Sequence, residues 1–232
     1  MTDRVYRNPV LKADWSDPDV IRVGTDFYLV ASSFHRVPGL PVLHSRDLVH
    51  WTIVGHALDR LEPAAAFATP QHGCGVWAPA IRHHAGQFWI FYPDPDRGIY
   101  VVTAPAAGGP WTRPRLLKGG RGLIDPCPFW DADGHAYLVH AWARSRAGFN
   151  NRITCHRMDP GATRVLDEGR TVIDGDRLPG YRTLEGPKLY RRGDWYWIFA
   201  PAGGVAQGWQ SAFRSRSVFG PYPNAAGHRR CS

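Results

Sequence analysis

Three carboxylates and one tryptophan each begin one of four similar segments along this chain. In every segment a proline follows within two residues. Convergent carboxylates hydrolyse glycosidic bonds, one as base toward water and another as protonated acid toward the leaving oxygen. A third would raise the pKa of the acid by like-charge repulsion and could orient it. The spacing therefore indicates glycoside hydrolysis by Asp17, Asp125 and Glu185. The four segments are Asp17-Pro18-Asp19-Val20, Trp77-Ala78-Pro79-Ala80-Ile81, Asp125-Pro126-Cys127-Pro128-Phe129 and Glu185-Gly186-Pro187-Lys188-Leu189.

Each segment precedes an aromatic strand at a nearly fixed distance. The first residue of the segment lies 11, 12, 12 and 11 residues before Tyr28, Trp89, Tyr137 and Tyr196, respectively. The segments begin 60, 48 and 60 residues apart, and each interval contains several short strands separated by turn residues. About four strands per unit of this length is typical of a β-propeller blade. We predict an all-β fold, with about four blades and the carboxylates at equivalent positions. The predicted aromatic strands are 26–30, 87–91, 135–139 and 194–198, and a further strand is predicted at 165–169.

Several residues compete for roles at the predicted site. Asp14 and Asp19 lie close enough to Asp17 in the sequence to be rival bases, although Asp14 falls outside the repeat. Trp77 stands where the other units have an acid, and either a flat wall for a sugar ring or a core position suits a tryptophan there. Phe34 and His35, in the loop after the first aromatic strand, are predicted to line the opening.

The composition favours short strands and turns, because 25 Gly and 20 Pro accompany an aromatic content of 12%. The net charge of +8 comes from scattered arginines, which predicts a solvated basic surface and no nucleic-acid partner. Cysteines at 74, 127, 155 and 231 lack metal-site or disulfide spacing. We find neither an apolar run of membrane-spanning length nor a secretion signal, and therefore expect no membrane partner and a cytoplasmic location.

The same segments resemble glycoside hydrolase family 43, the five-bladed β-propeller enzymes that act on xylan and arabinan side chains. The resemblance runs from about residue 8 to 223, beginning with Asn8-Pro9-Val10-Leu11-Lys12 and including Gly75-Val76-Trp77-Ala78-Pro79. It implies that Asp17 is the general base, Glu185 the general acid, and Asp125 the residue that orients the acid and tunes its pKa. The tryptophan equivalent to Trp77 borders the sugar pocket in the family.

The resemblance further implies an inverting reaction that removes terminal xylose or arabinofuranose, without deciding between these two sugars. The expected domains are a catalytic propeller over residues 1–223, lacking the family's fifth blade, and an irregular tail over 224–232. No cofactor is expected, and the family's structural calcium has no usual site here, since His228 lies in the unmatched tail.

Two classes of function remain open from the sequence. The first is a glycosidase acting on xylo- or arabino-oligosaccharides. The second is an inactive truncated propeller that serves as a sugar-binding or interaction module, and exposed blade edges would then favour self-association.

Overall fold

The computed structural model describes residues 5–225, and the regular structure in that range consists almost entirely of strands. This confirms the predicted all-β class. Between residues 5 and 225, helical structure is limited to α1 (Arg144–Ala147) and two 3-10 turns, Ala64–Phe67 and Gly175–Arg177. The strands are β1 (Asp19–Val23), β2 (Asp26–Val30), β3 (Gly39–Ser45), β4 (Thr52–Leu58), β5 (Ala80–His84), β6 (Gln87–Asp94), β7 (Gly98–Ala104), β8 (Arg115–Gly119), β9 (Leu123–Trp130), β10 (Ala136–Trp142), β11 (Arg152–Met158), β12 (Arg170–Asp174), β13 (Lys188–Arg192), β14 (Trp195–Ala202) and β15 (Trp209–Ser215).

The strands form four sheets, and in each sheet they lie in sequence order. The first three sheets contain β1–β4, β5–β8 and β9–β12, and the fourth contains β13–β15. The second strands β2, β6, β10 and β14 match the predicted aromatic strands. Aromatic and β-branched side chains favour extended backbone because they pack well on a pleated surface. One sheet per repeat is the organisation that the spacing predicts.

The chain divides into two compact units. The first unit holds the described residues before Phe91 together with Val102–Pro114, and the second holds Phe91–Val101 and the described residues from Arg115 onward. In the first unit, Leu29, Ala31 and Leu43 form a buried cluster against which Leu11, Trp15 and Trp51 pack. In the second unit the largest fully buried side chains include Leu123, Leu138, Ile153, Met158 and Phe213.

Two segments differ from the expected strand pattern. The strand predicted at 165–169 is reduced to a single bridge between Val165 and Met158, followed by a bend, and β12 begins only at Arg170. The Asp167 carboxylate accepts hydrogen bonds from the backbone of Arg157 and Gly169, which favours a turn over an extended strand. At the start of the predicted tail, Asn224 forms a single bridge with Phe213 of β15. Cys231 and His228 lie outside the described residues.

Within residues 5–225, Cys74, Cys127 and Cys155 form no disulfide bond. No helix in that range is long and apolar enough to span a membrane.

Candidate active site

Three of the repeated segments share an unusual backbone conformation at the residue before proline. Asp17, Asp125 and Gly186 have φ values of 52°, 55° and 58°, all in the left-handed region. Aspartate tolerates this region better than most residues, and glycine enters it freely. The position equivalent to Asp17 in the fourth segment is therefore Gly186, and Glu185 lies one residue earlier. This corrects the expectation that the three carboxylates occupy equivalent positions.

The segments instead form two alternating kinds. Asp17 and Asp125 are 108 positions apart, and so are Trp77 and Glu185. In the first kind the functional candidate immediately precedes proline, whereas in the second it lies two residues before proline. Trp77 is thus the counterpart of Glu185, which explains why this position carries no aspartate.

Two hydrogen bonds at equivalent positions support this alternation between two kinds of segment. The Asp19 carboxylate accepts the backbone N–H of Ile81 at 2.9 Å, and the Cys127 Sγ accepts that of Leu189 at 3.3 Å. The two acceptors are 108 positions apart, as are the two donors. Each contact joins the first strand of one sheet to the first strand of the next.

In the first unit, the Asp17 carboxylate is exposed and held by one side chain. The Ser32 hydroxyl donates to Asp17 Oδ2 at 2.8 Å, and the Ser32 N–H donates to the Ser16 carbonyl at 3.0 Å. Ser32 is only 2% exposed, so its hydroxyl is a fixed donor. The sequence analysis missed Ser32, because a serine at the end of an apolar strand carries no distinctive spacing.

The same unit brings the predicted sugar-binding residues close together. Phe34, with a positive φ of 51°, forms a two-bond bridge with Val76, the residue before Trp77. Trp77 is half-buried, and its indole Nε1 donates to the Gly73 carbonyl at 2.9 Å. A partly exposed ring whose polar edge is fixed is compatible with either role considered for Trp77, a sugar wall or a packing residue.

His35 lies on the same opening. Its ring meets the ring of His72 edge-on, with centroids 4.7 Å apart, and its buried Nδ1 has no hydrogen-bond partner among residues 5–225. Phe34, His35 and Gly73 line a shallow cavity of about 350 Å³. The carbonyl of Gly73 also accepts the hydrogen bond from the Trp77 indole, so Trp77 is held next to the cavity that Phe34 and His35 line.

The two rival bases have structural partners. Asp19 is 5% exposed, and its carboxylate forms a 2.7 Å ion pair with Arg82 besides accepting the Ile81 N–H. Asp14 is largely exposed and lies 3.6 Å from Arg36. Of the three aspartates, Asp17 alone combines an exposed carboxylate with a buried hydroxyl that orients it.

In the second unit, three consecutive backbone N–H groups fix the segment that carries Glu185. Leu184 donates to Asn151 Oδ1 at 2.9 Å, and Glu185 donates to the Pro201 carbonyl at 3.1 Å. Gly186 donates to Asp125 Oδ2 at 2.7 Å. Asp125 and Glu185 are both half-buried. Sequence reasoning placed Asp125 near the acid, and the structure brings its carboxylate to the peptide that follows Glu185.

Asn151 is the second residue that the sequence analysis missed. It is 4% exposed, and its amide nitrogen donates to Asp176 while its oxygen accepts the Leu184 N–H. Thr183, the residue before Leu184, has a φ of 52°, which is strained for a β-branched residue. A lone asparagine more than thirty residues from its partner gives no sequence signal.

No group of three or more His, Cys, Asp or Glu side chains suited to a metal ion occurs among residues 5–225.

Comparison with known proteins decides the family. The family model described as Glycosyl hydrolases family 43 matches residues 6–230, nearly the whole chain. The chain belongs to glycosyl hydrolases family 43. A protein of Xylanibacter ruminicola is 42% identical over 220 residues, covering 95% of this chain and 39% of its own length. The xylosidase/arabinosidase 43B of Humicola insolens is 34% identical, over 93% of this chain and 41% of its own length.

Solved structures of the family show the same fold. A Bacteroides ovatus GH43B from a xyloglucan locus superposes with a TM-score of 0.80 at 35% identity, over 95% of this chain and 42% of its own. A GH43_12 protein from a capybara gut metagenome gives a TM-score of 0.82 at 30% identity, over 94% and 43%. The predicted β-propeller fold is thereby confirmed, with four blades among the residues that the structure describes. The chain spans about two fifths of the length of these family 43 proteins.

Proposed function

We propose that this family 43 chain hydrolyses terminal xylose or arabinofuranose from plant hemicellulose oligosaccharides, with Asp17 as base and Glu185 as acid. The observation that carries the proposal is the anchoring of Glu185. Three successive N–H groups at residues 184–186 are hydrogen-bonded, and one of them is held by the carboxylate of Asp125. A general acid must be held within hydrogen-bonding reach of the leaving oxygen, so a fixed backbone suits this role.

The proposed reaction uses each carboxyl group once. The Asp17 carboxylate takes a proton from water as the water oxygen bonds to the anomeric carbon. The Glu185 carboxylic acid donates its proton to the glycosidic oxygen as the bond to the anomeric carbon breaks. The products are the free sugar and the shortened alcohol, and attack opposite the leaving group inverts the anomeric configuration.

The residues around Asp17 support a pentose in the pocket. Phe34 and His35 line a cavity in the same unit as Asp17, and the half-buried Trp77 ring is held at Gly73, which also lines that cavity. Aromatic surface with a few fixed polar groups is the usual lining of a small-molecule site. The Humicola insolens relative is named as a xylosidase/arabinosidase, and the Bacteroides ovatus relative, 35% identical, as a non-reducing end α-L-arabinofuranosidase.

The test is hydrolysis of aryl β-D-xyloside and aryl α-L-arabinofuranoside by the purified chain beside Asp17→Asn. We expect turnover of at least one substrate and its loss in the variant, since the attacking water then has no base. Proton NMR of the first-formed sugar should show the inverted anomer. Oligosaccharide binding without turnover in a cooperatively folded chain would instead favour the sugar-binding module.

A further inference from the structure

A second cavity in the first unit contains none of the residues assigned above. It has a volume of about 450 Å³ and lies between the end of β4 with its following turn and the loop 108–114. We call it the Trp111 groove. Its polar lining consists of His56, Asp59, Arg60, Trp111, Thr112 and Arg113.

Trp111 offers part of its ring face to the groove. The ring lines the groove and is half-buried. Its indole Nε1 is buried and has no hydrogen-bond acceptor among residues 5–225, so the N–H is not open to a ligand in the groove. A partly exposed aromatic ring is a usual packing surface for a small-molecule ligand.

The wall of the groove is fixed before any ligand arrives. Gly55 of β4 approaches Gly108 so closely that a Cβ on Gly55 would lie 2.9 Å from the Gly108 carbonyl oxygen. The Thr112 N–H donates to the Thr103 carbonyl at 2.8 Å, and the Thr112 hydroxyl accepts the Thr103 N–H at 3.0 Å. A preformed site loses little entropy on binding.

The charges around the groove nearly cancel. Arg60 forms a 2.9 Å ion pair with Glu62, so its charge is balanced. The positive charge of Arg113 is matched by the negative charge of Asp59. Neither side chain forms an ion pair within the described chain. A site for a phosphate or a nucleic acid would present a net positive charge. Balanced donors and acceptors beside an aromatic ring suit a ligand whose groups both donate and accept, and hydroxyl groups do so.

We propose that the Trp111 groove is a second carbohydrate site that binds a neutral oligosaccharide apart from the Asp17 and Glu185 carboxylates. The exposed part of the Trp111 ring would pack against a sugar ring, the Arg113 guanidinium would donate to sugar hydroxyls, and the Asp59 carboxylate would accept from them. Such a site would hold the chain on a polymer while the catalytic residues act on its ends. Only the choice of a xylose oligomer as probe rests on the proposed function.

The experiment follows the Trp111 indole N–H by NMR in a Glu185→Gln background, so that the probe is not consumed. Trp111→Phe identifies the resonance by its disappearance. Xylohexaose should shift that resonance to saturation. The dissociation constant read from it should rise about two- to tenfold in Arg113→Gln, the equivalent of one hydrogen bond, and stay unchanged in the exposed control Arg164→Gln.

Three results would overturn the site: a resonance that does not move with xylohexaose, equal affinity in Arg113→Gln and the parent, or a shift produced by inorganic phosphate alone. Because the measurement needs no turnover, it is independent of the catalytic proposal. If the chain leaves the aryl glycosides intact but xylohexaose still shifts the Trp111 resonance, the proposed function is wrong and the groove proposal stands.

Discussion

The Asp125 carboxylate accepts the backbone N–H of Gly186 at 2.7 Å, at the peptide that follows Glu185. Because Gly186 has a positive φ and its N–H is held there, Asp125 fixes the direction in which Glu185 leaves the backbone. Asp125 would thus act on the reaction through the placement of Glu185.

Replacing Asp125 should therefore lower turnover far more than substrate affinity. In Asp125→Ala we expect kcat on an unactivated xylo-oligosaccharide to fall about 100-fold, since misplacing a catalytic group by about 1 Å has an effect of that size. Asp125→Asn retains an oxygen acceptor for Gly186 and should lose less. Steady-state kinetics give kcat and KM separately. A KM increase with unchanged kcat in Asp125→Ala would show that Asp125 only binds substrate.

Ser32 offers a test of positioning with a matched neighbour. Ser32→Ala removes the side-chain hydroxyl that donates to Asp17, and we expect kcat to fall about tenfold with little change in KM. The control is Ser33→Ala. Ser33 is 3% exposed, and its hydroxyl accepts the Leu40 N–H at 3.0 Å, so its loss should reduce stability without this effect on kcat. Ser32→Thr should recover most of the activity. Equal kcat losses in the two alanine variants would assign Ser32 a structural role.

Asp19 should behave as a structural residue. Asp19→Asn leaves the largely buried Arg82 without its counter-charge, and breaking a buried ion pair in this way costs about 3–5 kcal/mol of unfolding free energy. Urea denaturation measures this loss. The rate per folded molecule should remain near the parent value. A folded Asp19→Asn protein with no activity would make Asp19, in place of Asp17, the candidate base.

The buried pair His140 and His156 should make stability depend on pH. The His140 Nδ1–H donates to the Ala141 carbonyl, and its Nε2 lies 3.2 Å from Nε2 of His156. Burial lowers the pKa of His140 to about 3, and burial followed by Lys118 lowers the pKa of His156, which Asp167 partly opposes.

Both rings are therefore neutral in the folded protein but bind protons in the unfolded chain below about pH 6.5. Stability is complete above that pH and declines as the pH falls through the window between the unfolded and folded pKa values, by up to about 1.4 kcal/mol per pH unit for each ring. Urea unfolding at several values from pH 7.5 to 5 measures this slope. His140→Leu should reduce the slope, and an unchanged slope would assign it to other histidines.

Much of the fold could be predicted from the sequence because its signals are local. The aromatic strands β2, β6, β10 and β14 follow turn and proline segments at a regular distance, and both signals act within one repeat. The turn at Asp167 was mispredicted because its carboxylate bonds to a backbone N–H on a neighbouring strand, at Arg157, and no strand propensity encodes that partner.

Some residues of the candidate site could likewise be found from the sequence, whereas others could be found only from the structure. Sequence spacing singled out Asp17, Asp125 and Glu185, but only backbone torsions showed that Glu185 corresponds to Trp77 and Gly186 to Asp17. Ser32 and Asn151 emerged from tertiary contacts alone, since each reaches a partner 15 or more positions away, and a hydrogen bond depends on distance in space. The sequence by itself thus determined the strand-rich repeat and the chemical groups available. The tertiary structure decided which buried donors and acceptors hold them in place, because that depends on how distant segments pack.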